Sequence, residues 1–561
     1  MSFYKIRLVM TAWLSRLLAS FSVASTALGL FFFCSSLTPS LLPRPPILQG
    51  LLGGISLIVG YAIAKTMLGI WRFMQLRELG ETNARHVSMG LLGVMSLLCI
   101  LTLSRMTVWQ NSIRDRMQMP PIDSSYPLSV SATSILVAIL LILVARAVWF
   151  LVRSFSNWLG RIMPPRVALV VSIVISSILI FNLVNGLIVK TALHAIDETF
   201  AAIDEATDDE HSQSRALASL GSSDSLVPWN EIGKNGKVFV VDGPTADDIS
   251  ALTGRSAKSP IRVYAGYNTG DSLEQRAKVA LDELIRLGGF DREVLIVATP
   301  TGTGWLDPSA VDPLEYLHDG DIATVSIQYS YLPSWLTIMV EPDRSRLAAK
   351  ALFRQVYSHW SALQKDSRPK LYLFGLSLGS LGSEAALDFY NLIGDPIDGA
   401  VLSGPPFAST MWTELVRSRK PGTPAWLPEF RDSELVRFMN RDGTAAPVDT
   451  DWGIMRIIYL QHGSDPMTWF SPSLAWSEPD WLKGEMAPDV SPYFRWFPVV
   501  TFLQVGFDVP MATTAPLGYA HNYSPAEYID AWIEVTAPIS WTKEDTKSLK
   551  AAYADFNPSP I

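Results

Sequence analysis

The chain has very few cysteines and no recognisable metal-binding pattern. Its 561 residues include two cysteines, Cys34 and Cys99, and both lie in apolar segments. The polar part of the chain therefore has no disulfide framework. Neither a Cys-x-x-Cys nor a His-x-x-x-His spacing occurs, so we predict no metal site and no cofactor.

Charged residues are also scarce, at 17% of the chain, and the formal net charge is −8. No basic stripe is present, which argues against nucleic-acid binding. Hydrophobic residues make up 48% of the sequence, and they are concentrated before residue 190. The composition thus predicts an apolar N-terminal part and a polar C-terminal part.

Five apolar segments each approach the roughly 20 residues that are needed to cross a bilayer. They lie near residues 17–36, 47–70, 87–104, 131–152 and 167–189, and the third is the shortest. We predict an all-α transmembrane domain over residues 1–190. Because four further segments follow the first, we interpret the first as a span and not as a cleaved signal peptide.

The basic residues around these segments predict the orientation. Ten lie on one side of the predicted spans and four on the other. The N-terminus is therefore expected in the cytoplasm, and five spans would place the chain after residue 190 outside the cytoplasm. An even number of spans would place it inside.

The most informative motif is an apolar strand that runs into a Gly-x-Ser-x-Gly turn. Residues 371–374 are followed by Gly375, Ser377 and Gly379, and a helix-like run of small residues comes next. This order is typical of the nucleophile elbow of α/β-hydrolases. The glycines avoid clashes at the sharp bend. We predict Ser377 as the nucleophile and the Leu378 N–H as an oxyanion donor.

Seven histidines occur in the chain, and only His462 and His521 follow Ser377. In this fold the order is serine, acid, histidine. Asp465 follows a strand-like run, and His521 lies in a loop before the last predicted helices, so Ser377, Asp465 and His521 form the predicted triad. His462 precedes the acid and is expected to pack or hydrogen-bond at the end of its strand.

Two alternatives stay open for these residues. Asp508 also follows an apolar run, residues 499–505, and is the second candidate for the acid. Ser377 could instead be a structural turn serine, and His521 a loop histidine without a catalytic role.

A second oxyanion donor is expected in the loop after an earlier strand, residues 294–298. Small residues follow this strand, and the backbone of Thr301, Gly302 or their neighbours up to Gly304 could approach the reacting oxygen. An ordinary turn is an equal alternative. The His-Gly-Gly-Gly signature of lipases is absent.

The remainder of the chain alternates between strand-like and helix-like segments. After an acidic, polar linker over residues 191–235, residues 236–561 predict a doubly wound, mostly parallel α/β sheet. The expected strands are residues 238–241, 261–264, 294–298, 323–327, 371–374, 399–402, 457–460 and 499–505.

Two intervals, residues 407–453 and 467–515, are too long for simple crossovers and are expected to cover the site as cap insertions. The second contains eight aromatic residues between 469 and 497. Their rings could line an acyl pocket, lie at a membrane interface or pack in the core.

The chain resembles, over nearly its whole length, a bacterial family of membrane-anchored α/β-hydrolases with a transmembrane N-terminal domain. The similar segments are residues 37–44, 299–307, 328–335, 375–379, 403–406, 461–466 and 496–501. The resemblance implies a serine hydrolase with Ser377, Asp465 and His521 in the triad, but it implies no substrate. Members often have a histidine where Tyr519 stands, which leaves His521 as the base in this loop.

These observations predict a serine esterase in the bacterial cytoplasmic membrane, with its catalytic domain outside the cytoplasm. The expected substrate is an ester or thioester of a lipid or cell-envelope component. Acyl transfer by the same triad is one alternative, and a non-catalytic envelope scaffold on a hydrolase fold is another.

Overall fold

The structure is a computed structural model that describes residues 22–77, 80–183, 199, 204, 219–387, 394–444, 446–447, 450–556 and 558. The chain forms two compact units. The helical unit comprises Met1–Ile188, Ser471–Leu482 and Val490–Asp508, and the sheet unit comprises Val189–Phe470, Lys483–Asp489 and Val509–Ile561. Most of the predicted linker, residues 191–235, lies outside the described residues.

The N-terminal part of the helical unit contains only helices among its described elements. They are α1 (Val23–Ser36), α2 (Pro46–Phe73), α3 (Glu81–Arg116), α4 (Tyr126–Leu159) and α5 (Pro165–Asn182). Helices α2 to α5 are long and apolar enough to cross a membrane. They coincide with the second to fifth predicted spans. The first predicted span corresponds to the 14-residue helix α1, and its residues 17–21 lie outside the described residues.

Small residues allow the helices of this unit to pack closely. A Cβ atom added to Gly54 of α2 would lie 2.8 Å from the backbone oxygen of Ser134 in α4. A Cβ atom on Gly60 would lie 2.8 Å from the backbone oxygen of Leu28 in α1. Close approach at small residues is a common way for apolar helices to associate in a bilayer.

The prediction of a strand at residues 499–505 is wrong, because Val500–Asp508 forms a helix in the helical unit. Its buried polar residues, Thr501, Gln504 and Asp508, recur at spacings of three and four, so they share one helical face. At the end of this helix the Asp508 carboxylate forms a fully buried ion pair with Arg44, at 2.8 Å.

The sheet unit is built on eight strands in the order β1-β3-β2-β4-β5-β8-β6-β7. All neighbouring pairs are parallel except β6 and β7. The strands are β1 (Ile261–Ala265), β2 (Val294–Thr299), β3 (Ile322–Ile327), β4 (Lys370–Leu376), β5 (Gly399–Ser403), β6 (Val436–Asn440), β7 (Gly443–Thr444) and β8 (Arg456–Leu460). Six of the eight predicted strands, and the mostly parallel α/β fold class, are confirmed.

Helices connect and cover these strands. They are α6 (Lys234–Val241), α7 (Ala246–Thr253), α8 (Leu273–Arg286), α9 (Pro308–Leu317), α10 (Ser334–Val340), α11 (Asp343–Ala362), α12 (Leu378–Ala386), α13 (Thr410–Arg417), α14 (Pro466–Trp469), α16 (Pro525–Thr536) and α17 (Lys543–Ala552), with α15 (Val500–Asp508) in the helical unit. The prediction of a strand at residues 238–241 is wrong, since these residues end α6. Short apolar runs do not distinguish the two structures by periodicity.

The two intervals expected as cap insertions contain elements that the sequence patterns do not predict. Residues 407–453 include β6, which pairs in parallel with β8 and so belongs to the sheet itself. The interval 467–515 is divided, because residues 471–482 and 490–508 belong to the helical unit. Both findings reflect long-range packing that local sequence patterns do not encode.

Candidate active site

Ser377 lies at the sharp turn between β4 and α12. Its backbone has φ 61° and ψ −123°, a conformation that costs a non-glycine residue of order 1–3 kcal/mol and is concentrated at functional sites. Its N–H donates to the carbonyl oxygen of Ser403, at 3.0 Å. The surrounding sheet therefore holds the serine in the strained turn that the motif predicts.

The glycines on either side of Ser377 are required by close backbone contacts. A Cβ atom on Gly375 would lie 2.2 Å from the backbone carbon of Gly379, and one on Gly379 would lie 2.1 Å from the oxygen of Thr299. Such distances are far below van der Waals contact. A side chain at either position would therefore push β4, α12 or the end of β2 apart. The turn thus depends on both glycines.

His521 and Asp465 are in direct contact, with 2.6 Å between Nδ1 of the histidine and Oδ2 of the aspartate. Asp465 follows β8 and caps α14 by accepting from the N–H of Met467, at 2.9 Å. The hydroxyl of Tyr523 donates to the same Oδ2 atom, at 2.9 Å. The carboxylate is therefore held by several donors and is oriented towards the imidazole.

Burial would by itself raise the pKa of Asp465. The charge of His521 and the hydrogen bonds from His521 and Tyr523 outweigh this effect and hold the pKa of the carboxyl below its usual value. Asp465 is consequently ionised at neutral pH. An ionised partner at Nδ1 leaves Nε2 as the nitrogen that can accept a proton.

Ser377 and His521 line the same cavity, which has a volume of about 200 Å³. Both residues are almost completely buried. Among the described residues, the Ser377 Oγ atom and the His521 Nε2 atom have no hydrogen-bond partner. Two residues that line one cavity thus each have a polar atom without a partner among the described residues.

The rest of the cavity wall is mainly apolar, with a few hydroxyl groups and one carboxyl. The lining residues include Trp305, Pro333, Trp335, Leu376, Met467, Val509, Pro510 and Ala512, together with Thr301, Thr303, Ser334 and Thr513. None of the eight aromatic residues between 469 and 497 belongs to this wall.

The carboxyl in this wall is that of Asp307, to which the sequence patterns assigned no role. It caps α9, where Oδ1 accepts from the N–H of Ser309 at 2.9 Å. Burial raises the pKa of Asp307 to about 7, against the opposing effects of Ser309, Tyr528 and His521. A carboxyl of this kind changes its charge near neutral pH.

The predicted oxyanion donors differ in their availability. Leu378 begins α12, and the N–H groups of a first helical turn have no partner within the helix. The Thr301 N–H donates to the oxygen of Trp305 at 2.9 Å, and the Gly302 N–H donates to Ser334 Oγ at 3.0 Å. These two backbone groups are therefore engaged, whereas the side chain of Thr301 lines the cavity.

The other candidate residues have different surroundings. Asp508, the alternative acid, is paired with Arg44 in the helical unit. His462 contacts Glu527, with 2.6 Å between Nε2 and Oε1, in keeping with the expected role at the end of its strand. Neither Tyr523 nor Glu527 was identified from the sequence, because each reaches its partner only through the folded chain.

The fold and this serine–histidine–aspartate arrangement define the class of α/β-hydrolases. A family model described as "Alpha/beta-hydrolase family" matches residues 261–549, and "Alpha/beta-hydrolase family N-terminus" matches residues 37–244. The chain belongs to this alpha/beta-hydrolase family. No curated protein and no solved structure shows a significant match to it.

Proposed function

We propose that the protein is a membrane-anchored serine hydrolase that cleaves an ester or thioester of a lipid or cell-envelope component. The observation that carries the proposal is the cavity in which Ser377 Oγ and His521 Nε2 are both unpaired among the described residues, while Asp465 engages the other nitrogen of the imidazole. Family membership supports hydrolase chemistry in general.

In the proposed reaction, Ser377 Oγ attacks the carbonyl carbon while His521 Nε2 takes the hydroxyl proton. The Leu378 N–H, with the hydroxyl groups of Thr301 and Thr303, stabilises the negative charge on the former carbonyl oxygen. Collapse of this intermediate breaks the ester bond, and His521 gives its proton to the leaving alcohol or thiol. Water then attacks the acyl-enzyme in the same way, which releases the acid and restores Ser377.

The character of the cavity supports an apolar acyl group. Most of its wall is formed by aliphatic and aromatic side chains, which stabilise a buried acyl chain by about 0.8 kcal/mol per methylene. Helices α2 to α5, the candidate spans found among the described residues, would anchor the enzyme where such substrates dissolve. Anchoring raises the effective concentration of substrate at the site. We propose that α1 is the first of five spans, which would put the enzyme in the bacterial cytoplasmic membrane with its catalytic site on the outer side.

The proposal can be tested by labelling the purified full-length protein in detergent with a fluorescent fluorophosphonate, which reacts with activated serines. We expect the wild-type protein to be labelled and Ser377→Ala to be unlabelled. Ser380→Ala is the matched control, since Ser380 is also buried, lies in the helix that directly follows Ser377 and has an unpaired hydroxyl among the described residues. It should be labelled like the wild type.

If folded wild-type protein is not labelled, the chain is a scaffold on a hydrolase fold and the proposal is wrong. If labelling survives in Ser377→Ala, another residue is the nucleophile. If the wild type is labelled, unlabelled wild-type enzyme is then given lipid esters of increasing acyl length with and without an added alcohol. Free acid as the main product supports hydrolysis, and an ester of the added alcohol indicates acyl transfer.

A further inference from the structure

His462 is a buried histidine whose two ring nitrogens both face oxygen atoms. Nδ1 lies 2.7 Å from the carbonyl oxygen of Ala520, and Nε2 lies 2.6 Å from Oε1 of Glu527 in the first turn of α16. His462 is 1% exposed and Glu527 is 4% exposed. This pair lies outside the cavity and takes no part in the reaction proposed above.

The contacts of this pair indicate its charge state. A carbonyl oxygen can only accept a hydrogen bond, so Nδ1 must carry a proton. The other oxygen of Glu527 accepts from both the N–H and the hydroxyl of Ser524, at 2.6 Å each. Burial would raise the pKa of Glu527, but the charge and hydrogen bond of His462 and the contacts of Ser524 hold it below its usual value, so Nε2 donates to an ionised carboxylate and His462 is an imidazolium.

The groups that surround His462 favour this cation. Burial alone would lower the pKa of His462, but the charge and hydrogen bond of Glu527, the charge of Asp489 and the Ala520 carbonyl raise it to about 9. Asp465 is a third carboxylate nearby and is itself affected by the charge of His462. The neutral ring of Tyr523 stacks on the imidazole, with 4.3 Å between ring centroids.

Both backbone groups of Ala520 are held by side chains from the loop after β8. Its carbonyl accepts from His462, and its N–H donates to Ser464 Oγ, at 2.9 Å. Ser464 in turn donates to Asp489, at 2.6 Å. Ala520 has φ 53°, a left-handed conformation that a residue with a Cβ atom rarely adopts without support. The residue that follows it is His521.

We propose that His462, paired with Glu527, is a positioning residue that fixes the loop carrying His521 through the carbonyl of Ala520. The inference rests on the proposed function of His521 as the catalytic base. When His462 loses one proton, the remaining proton stays on Nε2, where it faces the charged carboxylate of Glu527, and the lone pair left on Nδ1 repels the carbonyl of Ala520. The loop is then released, and reaction at Ser377 slows on the alkaline side.

Two substitutions of His462 separate its contacts. The amide nitrogen of asparagine lies near the position of Nδ1, so His462→Asn keeps the donor to Ala520 and loses the charge. The amide of glutamine reaches the position of Nε2, so His462→Gln contacts Glu527 and leaves the Ala520 carbonyl without its donor. The matched control is His318→Gln, because His318 is also buried and its Nε2 contacts Thr536 of the same helix α16, at 3.0 Å.

The first measurement is the second-order rate of fluorophosphonate labelling of the full-length protein in detergent, from neutral to alkaline pH. A misplacement of about 1 Å at a catalytic group can lower a rate about 100-fold, so we expect His462→Gln to label roughly 10- to 100-fold more slowly. His462→Asn should label within a few-fold of the wild type at neutral pH and lack its alkaline decline. Labelling of His462→Gln at the wild-type rate would overturn the proposal.

The second measurement is hydrogen exchange of the peptide that spans residues 512–523, which does not depend on activity. We expect faster exchange in His462→Gln and unchanged exchange in His462→Asn and His318→Gln. If the wild type is unlabelled but this pattern holds, the proposed function fails and the positioning role stands. Equal exchange in all variants overturns the positioning role. If His462→Gln does not fold, Glu527→Gln removes the charge of the pair and keeps the Nδ1 donor to Ala520, so it should behave as expected for His462→Asn. An unchanged alkaline decline in Glu527→Gln would overturn the proposal.

Discussion

Each of the two units of the protein contains a buried aspartate in contact with a basic side chain, and the two contacts have different surroundings. In the helical unit, Arg44 and Asp508 meet at 2.8 Å, and further donors and acceptors, such as Gln49 and the carbonyl of Gln504, engage the guanidinium. In the sheet unit, Asp465 holds one nitrogen of His521, and the other nitrogen faces a cavity. The guanidinium of Arg44 is thus surrounded by partners, whereas one ring nitrogen of His521 is left unpaired among the described residues and is available for the proposed chemistry.

The largest expected effect is a loss of labelling when the contact between Asp465 and His521 in the sheet unit is changed. Asp465→Asn should lower the rate of fluorophosphonate labelling by about 10⁴-fold, because the amide cannot stabilise the imidazolium and favours the wrong tautomer. Asp508→Asn is the control, and it should retain the labelling rate within a few-fold. A large loss in Asp508→Asn, together with normal labelling of Asp465→Asn, would assign the acid to Asp508.

The next effect tests the pair in the helical unit. Asp508→Ala leaves Arg44 buried without its counter-charge and should lower the free energy of unfolding by about 3–5 kcal/mol. The double variant Arg44→Met/Asp508→Leu removes both charges and should recover most of this loss. Thermal unfolding of the full-length protein in detergent measures both. An equal loss of unfolding free energy in the single and double variants would show that the unpaired charge of Arg44 does not cause the loss.

A third prediction concerns pH and the pair of His462 with Glu527. The pKa of His462 is raised to about 9 in the folded protein, above an ordinary value of about 6.5. Its stabilisation is therefore fully present below about pH 6.5 and is lost as the pH rises through about 9. The loss amounts to at most about 3 kcal/mol, at about 1.4 kcal/mol per unit of pKa.

This loss should appear as a decrease in the unfolding temperature between neutral and alkaline pH. His462→Asn has no such proton to lose, so its unfolding temperature should change less over the same range. The same slope in both proteins would contradict the assignment of the imidazolium.

The smallest expected effect concerns Asp307 in the cavity wall. Its pKa is about 7 and its charge acts on His521, so ionisation above this pH stabilises the imidazolium that forms during attack. The labelling rate of the wild type should rise a few-fold as the pH passes through about 7, and Asp307→Asn should lack this rise. Identical pH profiles for the two proteins would show that the carboxyl has no influence on the base.

Part of the fold and of the candidate site can be predicted from the sequence, because it depends mainly on steric contacts between residues that are close in the chain. The turn at Ser377 requires Gly375 and Gly379. A side chain at Gly375 would clash with Gly379, and a side chain at Gly379 would clash with Thr299 at the end of β2. Six strands were recognisable as apolar runs between turn residues. The helix Val500–Asp508 was mistaken for a strand because of its apolar and β-branched residues, although Thr501, Gln504 and Asp508 already follow the helical period. The strand β6 was missed because its pairing with β8 is a long-range contact.

The sequence by itself determined the class of the fold, the nucleophile turn and the order of serine, acid and histidine, since these depend on local geometry and on the path of the chain. Only the tertiary structure shows which partner each of the two candidate acids has: Asp465 contacts His521, and Asp508 contacts Arg44. It also assigned His462 to Glu527 and Ala520. The physical reason is that a buried charge is stable only with partners, and the partners come from distant parts of the chain.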